Sequence, residues 1–500
     1  MIFSRIKQFD LRPFVVLFLL LIGAGCSHSA SKSIKESTFK RLSKIKKEKK
    51  AEVLRYFQGV MDKSYAIVDD GKMVRLFNEI KAKPTLLAMQ KLIFDMDVHF
   101  VTEYSDFYDI LFVDESGFIF HSIKQESDYH TNLFSGRWAG SHLAKQLRED
   151  GEKQFVDYGH YGPSDEPAAF FVTPLEKAGK RSGWIVLQAP INKVNSILSD
   201  HGGLGRTGEV YLVNRGKLML TDSRFVVDST ILKQKVDTEA VRLAFEMKEG
   251  QKVIEDYRRV RVFSAFEKFK VFNNEWIIIV EIDEDEVITE NYKGHKKYYL
   301  GGVMKEVMVR NKARSTVSSL WNKKNGKRAD VSEFCMTRSG ELLETSGVGP
   351  CTSIVVYLPR KFGYLSHISP VDDIYNKGLM ERLYLRDRNT SFLSKIMKKI
   401  KNYEMYPSEL KELKIAVVAT HLESLETVID DLIGMDIGLA QIKVMINPYA
   451  DYANVRFDQS SDDIGVQWRM RSTSTKDLYE SVDDVANLGA VIKKVAGYET

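Results

Sequence analysis

The chain has 500 residues, enough for two to four domains of about 100 to 200 residues each. Its apolar share of 44% and charged share of 28% are those of folded globular protein, which excludes general disorder and a multi-span membrane protein. The net charge of +5 is small for this length and gathers in one run, so nucleic acid is not an expected partner.

The N-terminus reads as an export signal. Arg5, Lys7 and Arg12 precede the apolar run FVVLFLLLIGAG, and Cys26 follows with small polar residues after it. Twelve apolar residues fall short of the roughly 20 that span a bilayer, and residues 1–26 resemble a lipoprotein signal peptide with Cys26 as the lipidation site. The expected location is exported, periplasmic or cell-surface, with a lipid or short anchor holding the chain at a membrane surface. Residues 27–50 read as a basic linker, whose KRLSKIKKEKK run is expected to be a solvated helix face beside that membrane.

Leu54, Phe57 and Met61, spaced i, i+3, i+7, predict a long amphipathic helix entering the first domain. YDILFVDESGFIFHSI predicts a hairpin turning at Asp114 to Gly117. About 100 residues on, GEVYLVNRGKLMLTDSRF repeats the plan with its turn at Asn214 to Gly216. RVRVFSAFEKF and NEWIIIVEI add a final strand pair. Two hairpin modules behind one helix predict a tandem α+β architecture over residues 51–293.

The segments FVDESGFIFHSI, TNLFSG, YGPSDEPAAFFVTPL, GWIVLQAPINKVNSIL, GLGRTGEVYLV with LMLTDSRF, and NEWIIIVEIDEDEV resemble, in order and spacing, the double Cache sensory domains found outside the membrane in bacterial chemoreceptors and sensor kinases. The resemblance implies two PAS-like modules on a long N-terminal helix, with a small ligand held in the membrane-distal one.

A pocket in such a sheet needs aromatic walls and a few convergent polar groups, and residues 134–171 hold those types. Trp138, Tyr158, Tyr161 and Phe170 are expected as walls. Arg137 and Asp165 are expected to meet the carboxylate and ammonium of a ligand. The structural alternative makes the aromatics core and leaves Arg137 in solvent. Ala139 follows Arg137 and Trp138 where amino-acid-binding members have a further aromatic, so the ligand class stays open: an amino acid, an organic acid or a similar small molecule. No cofactor fingerprint and no metal-ligand spacing is read from the chain.

The stretch VITENYKGHKKYYLGGVMKEVMVRNKARSTV has no uncharged run longer than seven residues, too short for a second span. Residues 294–330 read as a charged helical linker, and a membrane receptor or other protein is the expected signalling partner. Residues 331–500 then give a strand pair at CMTRSGELLET and a hairpin SIVVYLPRKFGYLSHI turning at Pro359 to Gly363. A helix near 390–402, a strand KIAVVAT, a helix ESLETVIDDLIG and strands IKVMI and ANVRF complete a layered α/β order.

TSGVGPC, with Thr345 and Cys351, and the downstream His367 with Pro370 resemble the Thr-x-Gly-x-Gly-x-Cys and His motifs of CheD-type chemoreceptor glutamine deamidases. The resemblance implies a protein-glutamine deamidase with Cys351, His367 and Thr345 as its catalytic set. The family's Gly-Gly and Gly-Arg residues before the last strands are replaced here by MINPYADYANVRF.

Attack on a side-chain amide needs a thiolate, and a cysteine of ordinary pKa, about 8.5, is mostly protonated at neutral pH unless an imidazolium lowers it. His367 is expected to do so and to act as general base and then general acid. Thr345 is expected to orient the ring, and Gly347 and Gly349 to let backbone N–H groups of the turn point at the oxyanion. Two other readings compete: a Cys335–Cys351 disulfide in an oxidising compartment, or Cys351 as an inert core residue. Either would leave a non-enzymatic ligand-binding or signalling subunit.

Overall fold

Helix α1 (Arg12–Ala66) opens the computed structural model, which describes residues 12–67, 69–83, 85–149, 154–296, 299–302, 319–323, 326–331, 333–338, 340–368, 392–448, 450–470, 478–482 and 485–496, with side chains from Ile34 onward. The side chain of Cys26 and all of Pro370 thus lie outside the described residues. The fold divides into two units, one over Ser37–Glu284 and one gathering residues 1–36 and 285–500. Among the described residues no helix is long and apolar enough to cross a membrane.

Helix α1 buries a stripe at three- and four-residue spacing that includes Leu42, Lys46, Lys49, Val53, Phe57 and Val60. Two members of the basic run therefore point inward, against the expectation of a wholly solvated face. Lys46 Nζ lies 3.2 Å from Glu249 and 3.4 Å from Glu267, and donates to the Phe266 carbonyl at 3.3 Å. Lys49 Nζ donates to the Ile197 carbonyl at 2.9 Å and pairs with Asp200 at 3.3 Å. Charge follows the helical period here because the domain supplies carboxylates and carbonyls opposite these two positions, as burial of an ammonium requires.

The first module has helices α2 (Gly71–Lys81) and α3 (Leu86–Glu103), then β1 (Asp109–Asp114), β2 (Ile119–Ser122), α4 (His142–Arg148), β3 (Gln154–Tyr161), β4 (Glu166–Lys177) and β5 (Lys180–Pro190). The sheet order is β2-β1-β5-β4-β3. Its first hairpin turns where the Asp-Glu-Ser-Gly sequence requires: Asp114 Oδ1 accepts from the Ser116 and Phe118 amides, and Gly117 adopts φ +86°.

After α5 (Asn192–Leu198), the second module contains β6 (Glu209–Asn214), α6 (Glu239–Met247), β7 (Glu249–Glu255), β8 (Arg261–Val271) and β9 (Asn274–Asp283), in the order β6-β9-β8-β7. Its expected first hairpin is abbreviated. Beyond Asn214 to Gly216 the returning arm bridges β6 at Val213–Met219 and residue 235 at Leu218–Lys235, and residues 221–230 close on themselves: Asp222 Oδ1 accepts from the Thr230 amide and Thr230 Oγ1 from the Ser223 amide.

The second unit follows α7 (Glu284–Gly294) with β10 (Lys327–Arg328), β11 (Glu333–Thr337), β12 (Leu342–Val348), β13 (Thr352–Leu358) and β14 (Phe362–Ile368). Next come α8 (Phe392–Tyr403), β15 (Lys414–Ala419), α9 (Leu422–Gly434), β16 (Ile442–Ile446), β17 (Ala450–Asp458), β18 (Asp463–Met470), β19 (Leu478–Ser481) and α10 (Leu488–Val495). Two five-stranded sheets result, β10-β12-β17-β18-β19 and β11-β14-β13-β15-β16. The core between them includes Leu343, Val355, Leu365, Val418, Phe457 and Trp468.

The hairpin β13–β14 closes with Leu358 opposite Phe362 and Arg360 at φ +60°. The strand pair expected at CMTRSGELLET does not exist as a pair: β11 belongs to one sheet and β12 to the other. Gly340, at φ +79°, turns the chain between the layers, and Thr337 Oγ1 accepts the Glu341 amide across the turn. The whole is a mixed α/β chain in which only β10–β12 and β15–β16 pair in parallel among the described strands.

Candidate functional site

Two sets of buried polar groups stand out, one in each unit. In the first module, strand register sets Asp109 opposite Gln188 and Gln188 opposite Phe170, so all three share one face. Asp109 is buried; its Oδ1 accepts the amides of Ile110, Ile123 and Lys124, and its Oδ2 accepts Ser122 Oγ at 2.7 Å. Burial pushes the Asp109 carboxyl up to about 6, against the pull of the Ser122 hydroxyl and the backbone N–H groups and with a further push from the charge of Asp128. Asp128 Oδ2 takes the Tyr161 hydroxyl at 2.5 Å, and burial raises this carboxyl too. Asp128 Oδ1 and Gln188 Oε1 are buried acceptors with no hydrogen-bond partner among the described residues. These two acceptors lack a donor, and an ammonium supplies three.

The residues expected around this pocket are divided by the fold. Tyr161 and Phe170 lie in the same core, their rings 4.8 Å apart at 71°, and Trp138 packs at its edge with its indole N–H on the Ser127 carbonyl. Tyr158 sits elsewhere: a register break between Val156 and Gly159 accompanies a packing of its ring on Trp276, with its hydroxyl donating to the Pro190 carbonyl. Arg137 and Asp165 both lie at the surface. Arg137 is exposed and lies over the Trp138 ring at 4.5 Å, while the Asp165 side chain is 92% exposed on the β3–β4 turn at φ +53°. Asp109, Asp128 and Gln188 escape sequence reasoning because they meet only through tertiary pairing. The one sequence signal is a charge or amide at an inward position of otherwise apolar strands, DILFVD and WIVLQAP.

In the second unit, Thr345 stands on β12 of one sheet and His367 on β14 of the other, and Thr345 Oγ1 lies 2.9 Å from His367 Nδ1. The threonine hydroxyl has a single hydrogen, and it donates this to the Ala329 carbonyl at 2.7 Å. It therefore accepts from Nδ1–H, which fixes the tautomer and leaves Nε2 with its lone pair. His367 Nε2 is buried with no hydrogen-bond partner among the described residues, as is Ser353 Oγ directly opposite it. Burial holds the imidazole below its ordinary value, with the Asp330 carboxylate opposing. At neutral pH the ring is thus a neutral base, where the sequence led us to expect an imidazolium.

Cys351, buried just before β13, is two residues from Ser353 and so falls on the His367 side, diagonal to it at roughly 7 Å between backbones. Within the glycine turn the two glycine amides are already bonded. The Gly347 amide donates to Asn454 Oδ1 at 3.1 Å and the Gly349 amide to the Gly347 carbonyl at 2.8 Å. Thr420 Oγ1 and Ser424 Oγ hold the carbonyls of Gly349 and Pro350.

Cys335 and Cys351 are not bridged, which corrects the disulfide alternative. Their strands β11 and β13 flank β14, so two strand spacings of about 4.8 Å each separate them before any offset along the chain. A disulfide tolerates about 7 Å between Cα atoms. Burial pushes the Cys335 thiol up to about 12.

The chain matches no protein-family model, and comparison with curated proteins finds no significant relative. Among solved structures it is similar to the periplasmic sensory domain of the Campylobacter jejuni chemoreceptor Tlp1, with 15% identity and a TM-score of 0.39 over 51% of this chain and 98% of that one. It is also similar to the ligand-binding domain of the Pseudomonas fluorescens chemoreceptor CtaA in complex with L-isoleucine, with 12% identity and a TM-score of 0.34 over 52% and 98%. A third is the ligand-binding domain of the Pseudomonas aeruginosa amino acid chemoreceptor PctC in complex with GABA, with 13% identity and a TM-score of 0.33 over 49% and 100%.

Proposed function

We propose that the protein is an exported sensor whose unit 37–284 binds a small ammonium-bearing ligand in a double Cache domain. Its second unit, CheD-like in motif, carries a Cys-His pair for hydrolysis of side-chain amides. The observation that supports the chemistry is the tautomer of His367: Thr345 holds Nδ1–H, and Nε2 is a buried lone pair on the Cys351 side. In this reading Nε2 takes the Cys351 proton, and the thiolate adds to a glutamine amide carbon. Nε2–H then protonates the departing ammonia, and water admitted by the same base cleaves the thioester to glutamate. Iodoacetamide tests it. Cys351 should label at near-neutral pH faster than a thiol of pKa about 8.5 allows, and His367→Ala should remove the excess. Labelling that is slow until the protein unfolds would leave the sensor alone. The engaged amides of Gly347 and Gly349 favour that second, non-enzymatic reading.

On the sensory side, the orphan acceptors Asp128 Oδ1 and Gln188 Oε1 support a cationic ligand. Primary amines and amino acids should raise the Tm of the full chain, since binding to the folded state stabilises it, and Asp128→Asn should abolish the shift. Organic acids lacking an ammonium should give none; a shift from those alone would overturn the cationic assignment. Export and anchoring through Cys26 belong to the same reading, and Cys26→Ser should block processing or release the chain from membranes.

A further inference from the structure

Helix α3 is apolar on both of its sides. The inward side carries Met96 and Phe100, both buried, with Leu92 and Ile93 half-buried beside them, and His99 Nε2 lies 2.6 Å from Asp70 Oδ2. The outward side carries Leu87, Phe94, Val98 and Val101, which are 79%, 67%, 44% and 66% exposed. A helix apolar all round is ordinarily a buried one, and contiguous apolar surface of this kind marks a contact with something else.

The outward residues keep a stricter period than packing on a single domain asks for. Leu87, Lys91, Phe94, Val98 and Val101 succeed one another at steps of four, three, four and three, and all five are exposed. These steps are the a and d seam of a coiled coil, narrower than the stripe with which a helix sits on a globular core. Such a seam, repeating every 3.5 residues, is filled by the side chains of another helix.

We infer that this other helix is α3 of a second copy of the chain, packed antiparallel about a twofold axis near Phe94. Charge selects both the partner and its direction. Lys91 holds a seam position on one side of Phe94, Asp95 and Asp97 stand on the other, and none of the three has an ion-pair partner among the described residues. In a parallel pair Lys91 would face the partner's Lys91 across the seam, like charges at closest approach. Turned end for end about Phe94, each Lys91 meets the partner's Asp95 and Asp97, the two Phe94 rings meet, and Leu87 packs on the partner's Val101. One patch that complements itself in shape and in charge is what a twofold interface requires. The helix has 18 residues and is about 27 Å long. One strip of that length falls short of the roughly 800 Å² per partner of a standard interface, so the dimer is reversible and grows with concentration. It involves neither the Asp109–Gln188 face nor the Cys-His pair, and its test is independent of both.

The full chain, kept reduced, is followed by sedimentation velocity across a wide range of concentration. Its average mass should rise from that of one chain toward that of two. Phe94→Asp, at an exposed position, should fold as wild type by circular dichroism and weaken association about tenfold or more. Lys91→Asp should weaken it as well, and adding Asp95→Lys and Asp97→Lys to that variant should restore it, which loss of a merely structural residue would not allow. Under mild oxidation Phe94→Cys should link two chains, whereas Leu87→Cys should not, because antiparallel pairing leaves the two copies of that position about 21 Å apart. A chain that stays single at every concentration overturns the proposal. Association that Phe94→Asp leaves unchanged also overturns it, by placing the interface elsewhere. Linking through Leu87→Cys as ready as through Phe94→Cys overturns the antiparallel pair. Phosphatidylcholine vesicles that bind a single-chain wild type and not Phe94→Asp would assign the face to a lipid surface and overturn it too.

Discussion

Asp109 shows how a single buried carboxyl sets a pH dependence. Its folded value of about 6 lies above the roughly 3.9 of an unfolded aspartate, so the native state holds a proton the unfolded chain has lost between these values. Its contribution is therefore fully present below about pH 4 and disappears as the pH rises through 6. Asp109→Asn keeps the oxygen that accepts the Ile123 and Lys124 amides and removes the charge. The stability of wild type relative to this variant should fall by about 2 to 3 kcal/mol between pH 4 and 7, measured by urea unfolding at intervals across that range. A flat difference curve would mean that the site is hydrated well enough to keep Asp109 ionised in both states. His121, which burial pushes down to about 4, acts in the opposite direction, losing stability as pH falls, but it is common to both proteins and cancels.

At the level of elements, the two five-stranded sheets depend on a missing side chain. Gly363 on β14 stands opposite Tyr357, and a Cβ there would overlap the ring of Phe457, which reaches across from β17. Gly363→Ala should cost about 1 to 3 kcal/mol by overpacking, and adding Phe457→Leu should recover part of that loss. Calorimetry of the full chain checks this: the substitution should move the transition of the 285–500 unit and leave that of 37–284 in place. The β13–β14 hairpin was legible beforehand because turn chemistry and two apolar arms lie within seventeen contiguous residues. The partnership of β11 and β12 was not, because Gly340 can close a hairpin or send the second strand to a facing sheet, and only the packing of Phe457 and Leu343 between layers decides. For the same reason Lys46 and Lys49 read as solvent-facing: a charge run reveals its period but not the carboxylates that await Lys46 on β7 and β8, nor the Ile197 carbonyl and Asp200 that await Lys49.

Across the molecule, the candidate residues that were legible are those that a short stretch of chain separates. Thr345 and His367 lie only 22 positions apart, and they meet although they stand on strands of different sheets. Asp109 and Gln188 lie 79 positions apart and meet through a strand pairing that no local pattern announces. The Thr345–His367 hydrogen bond carries one more consequence. Its donor ring and its acceptor hydroxyl belong to opposing layers, so it works as a calliper set to the thickness of the core. Close-packed interiors transmit small changes of volume rather than absorb them. Enlarging or trimming Val355 or Trp468, neither of which touches the imidazole's role directly, would open or close that calliper and swing Nε2 off its bearing. The aim of the imidazole is thus a property of the filling between the sheets, and the apolar residues of this unit are part of the instrument that points it.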